Sequence, residues 1–468
     1  MAKRPQRSKR RVVREELAGV DLGDPRRESR ARTVADRLAG APEATLPEAM
    51  GDRAALEALY RHLSSDEVTF EALVEQHVRR TAARCAGEQA VYAIHDTTVC
   101  TFPGEAERIG LGRVNGQKQG FFAHVSIGVS ADGQRIPLGL LGCELFTRDG
   151  ERPIGAGESG RWRRGVDGVC ERVGDARKII HVADRESDMY ELLASMAEAG
   201  QRFIVRASQD RAVEVEGEGL KRLFDTARET RQTYELDVPI TARRKTGRTG
   251  AEVKSFPARD ARMARLSFAA LSVSLRRPRT RVSKDTPEQL AVNVVHVFEL
   301  GPPVGERPVE WLLLTSEAID SPEAIAKVVE GYRTRWTIEE YFKTLKTGCA
   351  FESRQLESFK TLSNLLAYSL ILAYALLLLR ALARTGKDLP ADALLSREQL
   401  LCLRLMTKRK ASQLKTSRQV LDAIAELGVH LRSNGDPGWR VLSRGWKRLL
   451  DFEEAYQVMK SSGLVINR

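Results

Sequence analysis

From residue 15 to about residue 80, apolar side chains return every three or four positions between short polar breaks, the period of amphipathic helices. Asp24 followed by Pro25 reads as a helix start, with a side-chain acceptor at the cap and a residue lacking an N–H in the first turn. Near residue 90 the period shortens to that of strands. Residues 91–95 read as a strand ending at Asp96, 124–130 as a second, Ala131-Asp132-Gly133 as a turn and 136–146 as a third. A further strand over 178–183 ends at Asp184. A helix is expected over about 186–199, then a short strand over 202–206. Hairpin-linked strands followed by a strand–helix–strand unit predict a mixed sheet. From about 207 to 321 the texture is β-rich with basic loops, and 290–300 and 311–315 read as long buried strands. Helical periodicity returns at Pro322 and runs through Leu379; the tail from about Ala393 is helical, polar and carries Trp439 and Trp446. The expected fold is α/β, a mixed-sheet core divided by a β-rich insertion, with helical regions at both ends. Boundaries fall at 1–80, 81–207, 208–321, 322–384 and 385–468.

Composition narrows the class. The 468 residues hold 42% hydrophobic and 29% charged side chains, enough apolar material for a real core, which excludes global disorder. Six scattered cysteines without a C-x-x-C pair exclude a disulfide scaffold and a zinc knuckle, and a reducing cytoplasm fits best. The basic start at Lys3 and Arg4 is not followed by an apolar stretch, so no signal peptide is expected. The apolar run 365–379 is short and interrupted by Tyr368, Ser369 and Tyr374; it reads as a buried helix, and no membrane partner is expected. Lys and Arg number 75 against 63 Asp and Glu, a net charge of +12, which favours a polyanionic partner. Basic clusters lie at 243–248 and 276–281.

Three acidic positions stand out. Asp96 and Asp184 each close a predicted strand, the place where open α/β sheets set their ligands. Either could simply cap the next segment, Asp184 by accepting from the first amides of its helix. Two of them at neighbouring strand ends would bring carboxylates together. Holding two hard divalent cations needs a third oxygen donor. At about 100° per residue, Tyr332, Arg335, Glu339 and Lys346 share a helical stripe about 60° wide, and Glu340 falls off it. Glu339 is thus the better candidate, although Arg335 and Glu339 also form an ordinary i,i+4 ion pair.

The pattern Tyr332-x2-Arg335-x3-Glu339-x6-Lys346 resembles the Y-R-E-K signature of bacterial DDE transposases of the insertion-sequence-4 family. Leu22-Gly23-Asp24-Pro25-Arg26-Arg27 resembles the start of that family's N-terminal DNA-binding domain. Asp96-Thr97-Thr98 and Asp184-Arg185-Glu186-Ser187-Asp188 resemble the segments around its first and second catalytic aspartates, and 311–317 resembles the strand bearing its base-stacking tryptophan. The resemblance implies a ribonuclease H-like core interrupted by the β-rich insertion. It implies cut-and-paste transposition at one active site by nicking, hairpin formation, hairpin opening and strand transfer. Asp96, Asp184 and Glu339 would bind two Mg2+ (or Mn2+) ions per active site. Trp311 would stack a flipped base, and Tyr332, Arg335, Lys346 and Arg206 would contact DNA nearby. Arg26, Arg27 and Arg30 would touch the transposon end. The implied partners are double-stranded DNA, as transposon ends and target, and a second copy of the chain, with 385–468 as the dimerisation region. The implied location is the cytoplasm, at the nucleoid when bound to DNA. A nuclease of the same core that cleaves without joining, and a non-catalytic DNA-binding derivative, remain alternatives.

Overall fold

The computed structural model describes residues 9–104, 106–114, 118–147, 158–240, 259–280, 282–384, 390–393, 395–430, 437 and 439–462. The described chain opens on helices: α1 (Lys9–Glu16), α2 (Pro25–Gly40), α3 (Leu46–Met50), α4 (Arg53–Ser64) and α5 (Phe70–Ala86). The expected start of α2 is present: the Asp24 side chain accepts from the Arg26 amide at 2.7 Å and Pro25 occupies the first turn. α5 runs past residue 80 and packs on the sheet.

The sheet begins with β1 (Val91–Phe102), β2 (Gly112–Val114), β3 (Lys118–Ser130) and β4 (Pro137–Phe146). β1, β3 and β4 form an antiparallel meander. After α6 (Glu158–Val173) come β5 (Ile179–Ala183), α7 (Tyr190–Glu198) and β6 (Arg202–Arg206), and β5 and β6 lie parallel to β1. The mixed sheet is therefore as expected. The strand bearing Asp96 is longer than expected: β1 continues six residues beyond it, because Asp96 to Phe102 keep pairing with β3. The segment after Asp184 begins as a 3-10 turn over Arg185–Ser187, so the true helix starts only at Tyr190.

The β-rich block comprises β7 (Ala212–Val215), β8 (Gly219–Arg222), α8 (Leu223–Glu229), β9 (Gln232–Ile240), β10 (Arg262–Arg276), β11 (Gln289–Leu300) and β12 (Glu310–Thr315). It extends the same sheet. Among the described residues twelve strands are connected, in the order β2-β3-β1-β5-β6-β12-β11-β10-β7-β8, with β4 on β3 and β9 on β10. β12 closes the join by pairing antiparallel to β6, Leu313 opposite Arg206.

The helical run from Pro322 is broken. α9 (Pro322–Thr334) hands over at Arg335 to α10 (Trp336–Lys343), and a π-helical turn over Thr344–Gly348 follows. The single uniform helix assumed for the stripe is thus replaced by two helices and a wider turn, which places Lys346 off the regular 100° spacing. α11 (Phe359–Arg384) is long and apolar enough to cross a membrane by length and composition, yet 83% of its apolar window is buried inside the fold. α12 (Arg397–Thr407), α13 (Ser417–Leu427) and α14 (Trp439–Ser461) close the described chain around their own apolar cluster, with Trp446 buried in it.

Period-2 alternation gives the sheet two apolar faces. Ile94, Ile180, Val182 and Ile204 face the cluster built by α1, α2, α9, α10 and α11. Ala183, Phe203 and Val205 face the opposite cluster with α6 and α7. A sheet covered on both sides is how parallel strands avoid exposing apolar surface.

Candidate functional site

Register brings the two aspartates level. β1 and β5 pair with Ile94 opposite Val182, so Asp96 and Asp184 each lie two residues further along adjacent parallel strands. Both continue the row of Ile94 and Val182, the face that α9 and α10 cover. Asp96 is fixed by the Thr97 amide at 2.7 Å, and Asp184 accepts from the Glu186 amide at 2.9 Å. The capping role available to Asp184 from sequence is thus present as well.

Glu339 enters from the first turn of α10. Its helix begins immediately after Arg335, and the guanidinium of Arg335 reaches Asp96 at 3.2 Å on one side and Glu339 on the other. Burial pushes the Asp96 carboxyl up to about 7; the charges of Asp184 and Glu339 add to the rise, and Arg335 opposes it. The three acidic groups therefore share one electrostatic neighbourhood, short of cation and only 17% exposed at Asp96. Among the described residues no three His, Cys, Asp or Glu side chains stand at metal-holding spacing. The Arg335 guanidinium lies between Asp96 and Glu339 and pairs with both. The donor set fits hard divalent cations, being oxygen-rich, anionic and mutually repelling.

The other expected contacts are arranged around this group. Lys346 donates to the Val99 carbonyl of β1 at 2.5 Å and lies 3.5 Å from Glu352, whose carboxylate accepts from the Thr101 amide and hydroxyl at 2.9 Å. Tyr332 is buried, with its ring edge-on to Trp311 at 5.6 Å between centroids. Arg206 donates to the Glu310 carbonyl at 3.0 Å, beside Tyr332. Trp311 is largely buried against the core, whereas Trp336, the first residue of α10, is 61% exposed beside Arg335. Arg26, Arg27 and Arg30 stand apart from the acidic group, on α2, which packs against other helices.

Of the basic clusters, 243–248 lies outside the described residues. In the second, Arg277 donates to the Lys284 and Thr286 carbonyls, and Arg276 lies 3.6 Å from Glu214. Arg277 thus braces its own loop, and Arg276 faces β7.

One group escaped sequence reasoning. Asp188 is fully buried and accepts from the Ser208 amide at 2.6 Å, the Gln209 amide at 2.8 Å and Arg211 at 2.5 Å. It pins the loop leaving β6, and with it Arg206. The signal in the sequence is its place at the end of Asp184-Arg185-Glu186-Ser187-Asp188.

Residues 9–68 match the family described as transposase DNA-binding, and residues 163–376 match the transposase DDE domain. The DDE domain implies a ribonuclease H-like core, which the meander β4-β3-β1 flanked by parallel β5 and β6 accommodates. The chain is also similar to a cryo-EM structure of the piggyBac transposase synaptic complex with hairpin DNA, at 9% identity and a TM-score of 0.33, over 89% of this chain and 66% of that one. A likeness that slight specifies neither a fold nor a reaction. By its two matched domains, one for DNA and one for catalysis, the chain has the content of a DDE transposase enzyme.

Proposed function

We propose that the chain is a cut-and-paste DNA transposase of the insertion-sequence-4 family, with Asp96, Asp184 and Glu339 as its catalytic carboxylates. One observation carries this reading: two aspartates level on adjacent parallel strands, with a glutamate presented to them from the first turn of α10. On this reading 1–80 engages transposon-end DNA, 81–207 and 322–384 form the catalytic core, 208–321 is an insertion and 385–468 supports a homodimer that brings two ends together.

The three carboxylates would hold Mg2+ or Mn2+, two per site, which supply Lewis-acid stabilisation of the attacking and leaving oxygens in phosphoryl transfer. The chain's own residues orient the substrate. Arg335 offers a planar fork suited to a phosphate, so that when DNA enters it can exchange its carboxylate partners for phosphate oxygens. Lys346 holds β1 in register through Val99 and keeps the helix bearing Glu339 against the strand bearing Asp96. Trp311, beside Tyr332, and the exposed Trp336, beside Arg335, offer stacking surfaces for a base displaced during hairpin formation, a contact worth ~1–3 kcal/mol. Arg26, Arg27, Arg30 and Arg206 supply further phosphate contacts.

The test is Glu339→Gln on a duplex taken from the DNA bordering the gene. Mg2+-dependent nicking should be abolished while affinity for the duplex stays within about twofold. Nicking at the wild-type rate would remove Glu339 from the site.

A further inference from the structure

Arg354 lies where the two matched regions meet. It is 5% exposed, and its guanidinium donates to three carbonyl oxygens: Pro42 at 2.8 Å, Cys349 at 2.7 Å, and Ala44. Pro42 and Ala44 belong to the turn between α2, which carries Arg26, Arg27 and Arg30, and α3. Cys349 ends the π-helical turn that follows α10. A buried guanidinium is costly unless its donors are used, and here they are used to join two parts of the chain some 300 residues apart. Among the described residues no carboxylate stands at ion-pair distance from Arg354, and its Nε has no hydrogen-bond partner.

The segment it grips is tied to the catalytic strand. The Cys349 amide closes on Thr344 at 2.9 Å, Lys346 in the same turn reaches Val99, and Glu352 holds Thr101. Between them Ala350 adopts a left-handed conformation, φ +48°, rarely taken by a residue with a side chain. A π turn and a left-handed alanine are geometries that the surrounding contacts must hold in place.

We propose that Arg354 is a positioning residue: by riveting the 42–44 turn to the chain after Lys346, it couples DNA engagement by the N-terminal helices to the placement of Glu339 against β1. The inference rests on the transposase reading above. It adds that the DNA-binding region sets the catalytic geometry through this guanidinium.

The experiment compares wild type, Arg354→Met and Arg354→Lys in the full chain, with the bordering duplex as probe. Affinity is read by fluorescence anisotropy without divalent metal. Single-turnover nicking is read with Mn2+ at saturating duplex, and hydrogen exchange over 344–349 is read with and without duplex. Arg354→Met should keep affinity within about threefold, nick at least tenfold more slowly and lose the duplex-induced change in exchange at 344–349. Arg354→Lys, with three donors on an ammonium, should recover part of the rate. Nicking by Arg354→Met within twofold of wild type would overturn the coupling. So would an equal loss of affinity and nicking in both variants with a lowered melting temperature, the mark of a merely structural seam. If wild type itself fails to nick, the transposase reading fails instead, so the two failures are distinguishable.

Discussion

Replacing Asp96 by Asn should stabilise the metal-free protein at alkaline pH while it removes one of the three proposed catalytic carboxylates. Asp96 is raised from 3.8 to about 7 by burial and by the charges of Asp184 and Glu339. The folded state thus holds its proton over a range in which the unfolded chain has released it. The contribution of Asp96 to folding stability is therefore highest below 3.8, falls as pH rises from 3.8 to about 7 and stays at its low value above that. The full span corresponds to ~4 kcal/mol, and the part between pH 5 and pH 8 to ~3 kcal/mol, with solvent and Arg335 relaxation trimming it to roughly 2. Asparagine carries no charge at any pH and is close in shape to the protonated acid. The advantage of Asp96→Asn over wild type should grow by ~2 kcal/mol from pH 5 to pH 8, or about 2 °C of melting temperature for a chain of this length. The measurement is a pair of thermal melts in EDTA at each pH, with the difference between proteins cancelling every other titrating group. A difference independent of pH, or a variant less stable than wild type at pH 8, would refute the argument that the acidic cluster lacks cation.

Three further outcomes follow from the same geometry. Asp188→Ala strips the charge partner from buried Arg211 and the acceptor from two loop amides; chemical denaturation should show a loss of ~3–5 kcal/mol. His124 is buried, hydrogen-bonds Thr97 Oγ1 and is lowered to about 4 by burial and by Arg161, so its stability contribution is present above 6.5 and lost as pH falls towards 4. His124→Gln should then flatten the acid-side stability loss by up to ~3 kcal/mol in melts between pH 6.5 and 4. Trp311→Ala should slow hairpin formation more than first-strand nicking in a gel assay, and equal slowing would assign the ring to packing against Tyr332.

That Asp96 and Asp184 lie on or beside strands and Glu339 on a helix was legible in the sequence, because strand and helix periods are local patterns. β5 does stop before Asp184 as expected. β1 does not stop at Asp96, because hydrogen bonding to β3 rather than any residue in 91–102 determines where it ends. Likewise, the 332–346 stripe assumed an unbroken helix, and the break at Arg335 and the π turn at 344–348 come from what the segment packs against.

By itself the sequence determined the order of helices and strands, the alternation that gives the sheet two apolar faces, and the motifs that mark a transposase. These depend on neighbours a few residues away, where periodicity and capping act. Only the tertiary structure decided that Asp96 and Asp184 come level, that Arg335 stands between Asp96 and Glu339, that the β-rich block continues the same sheet and that Arg354 binds the N-terminal turn. Each of these rests on a contact between residues far apart in the chain, where register and burial, not local preference, choose the partner.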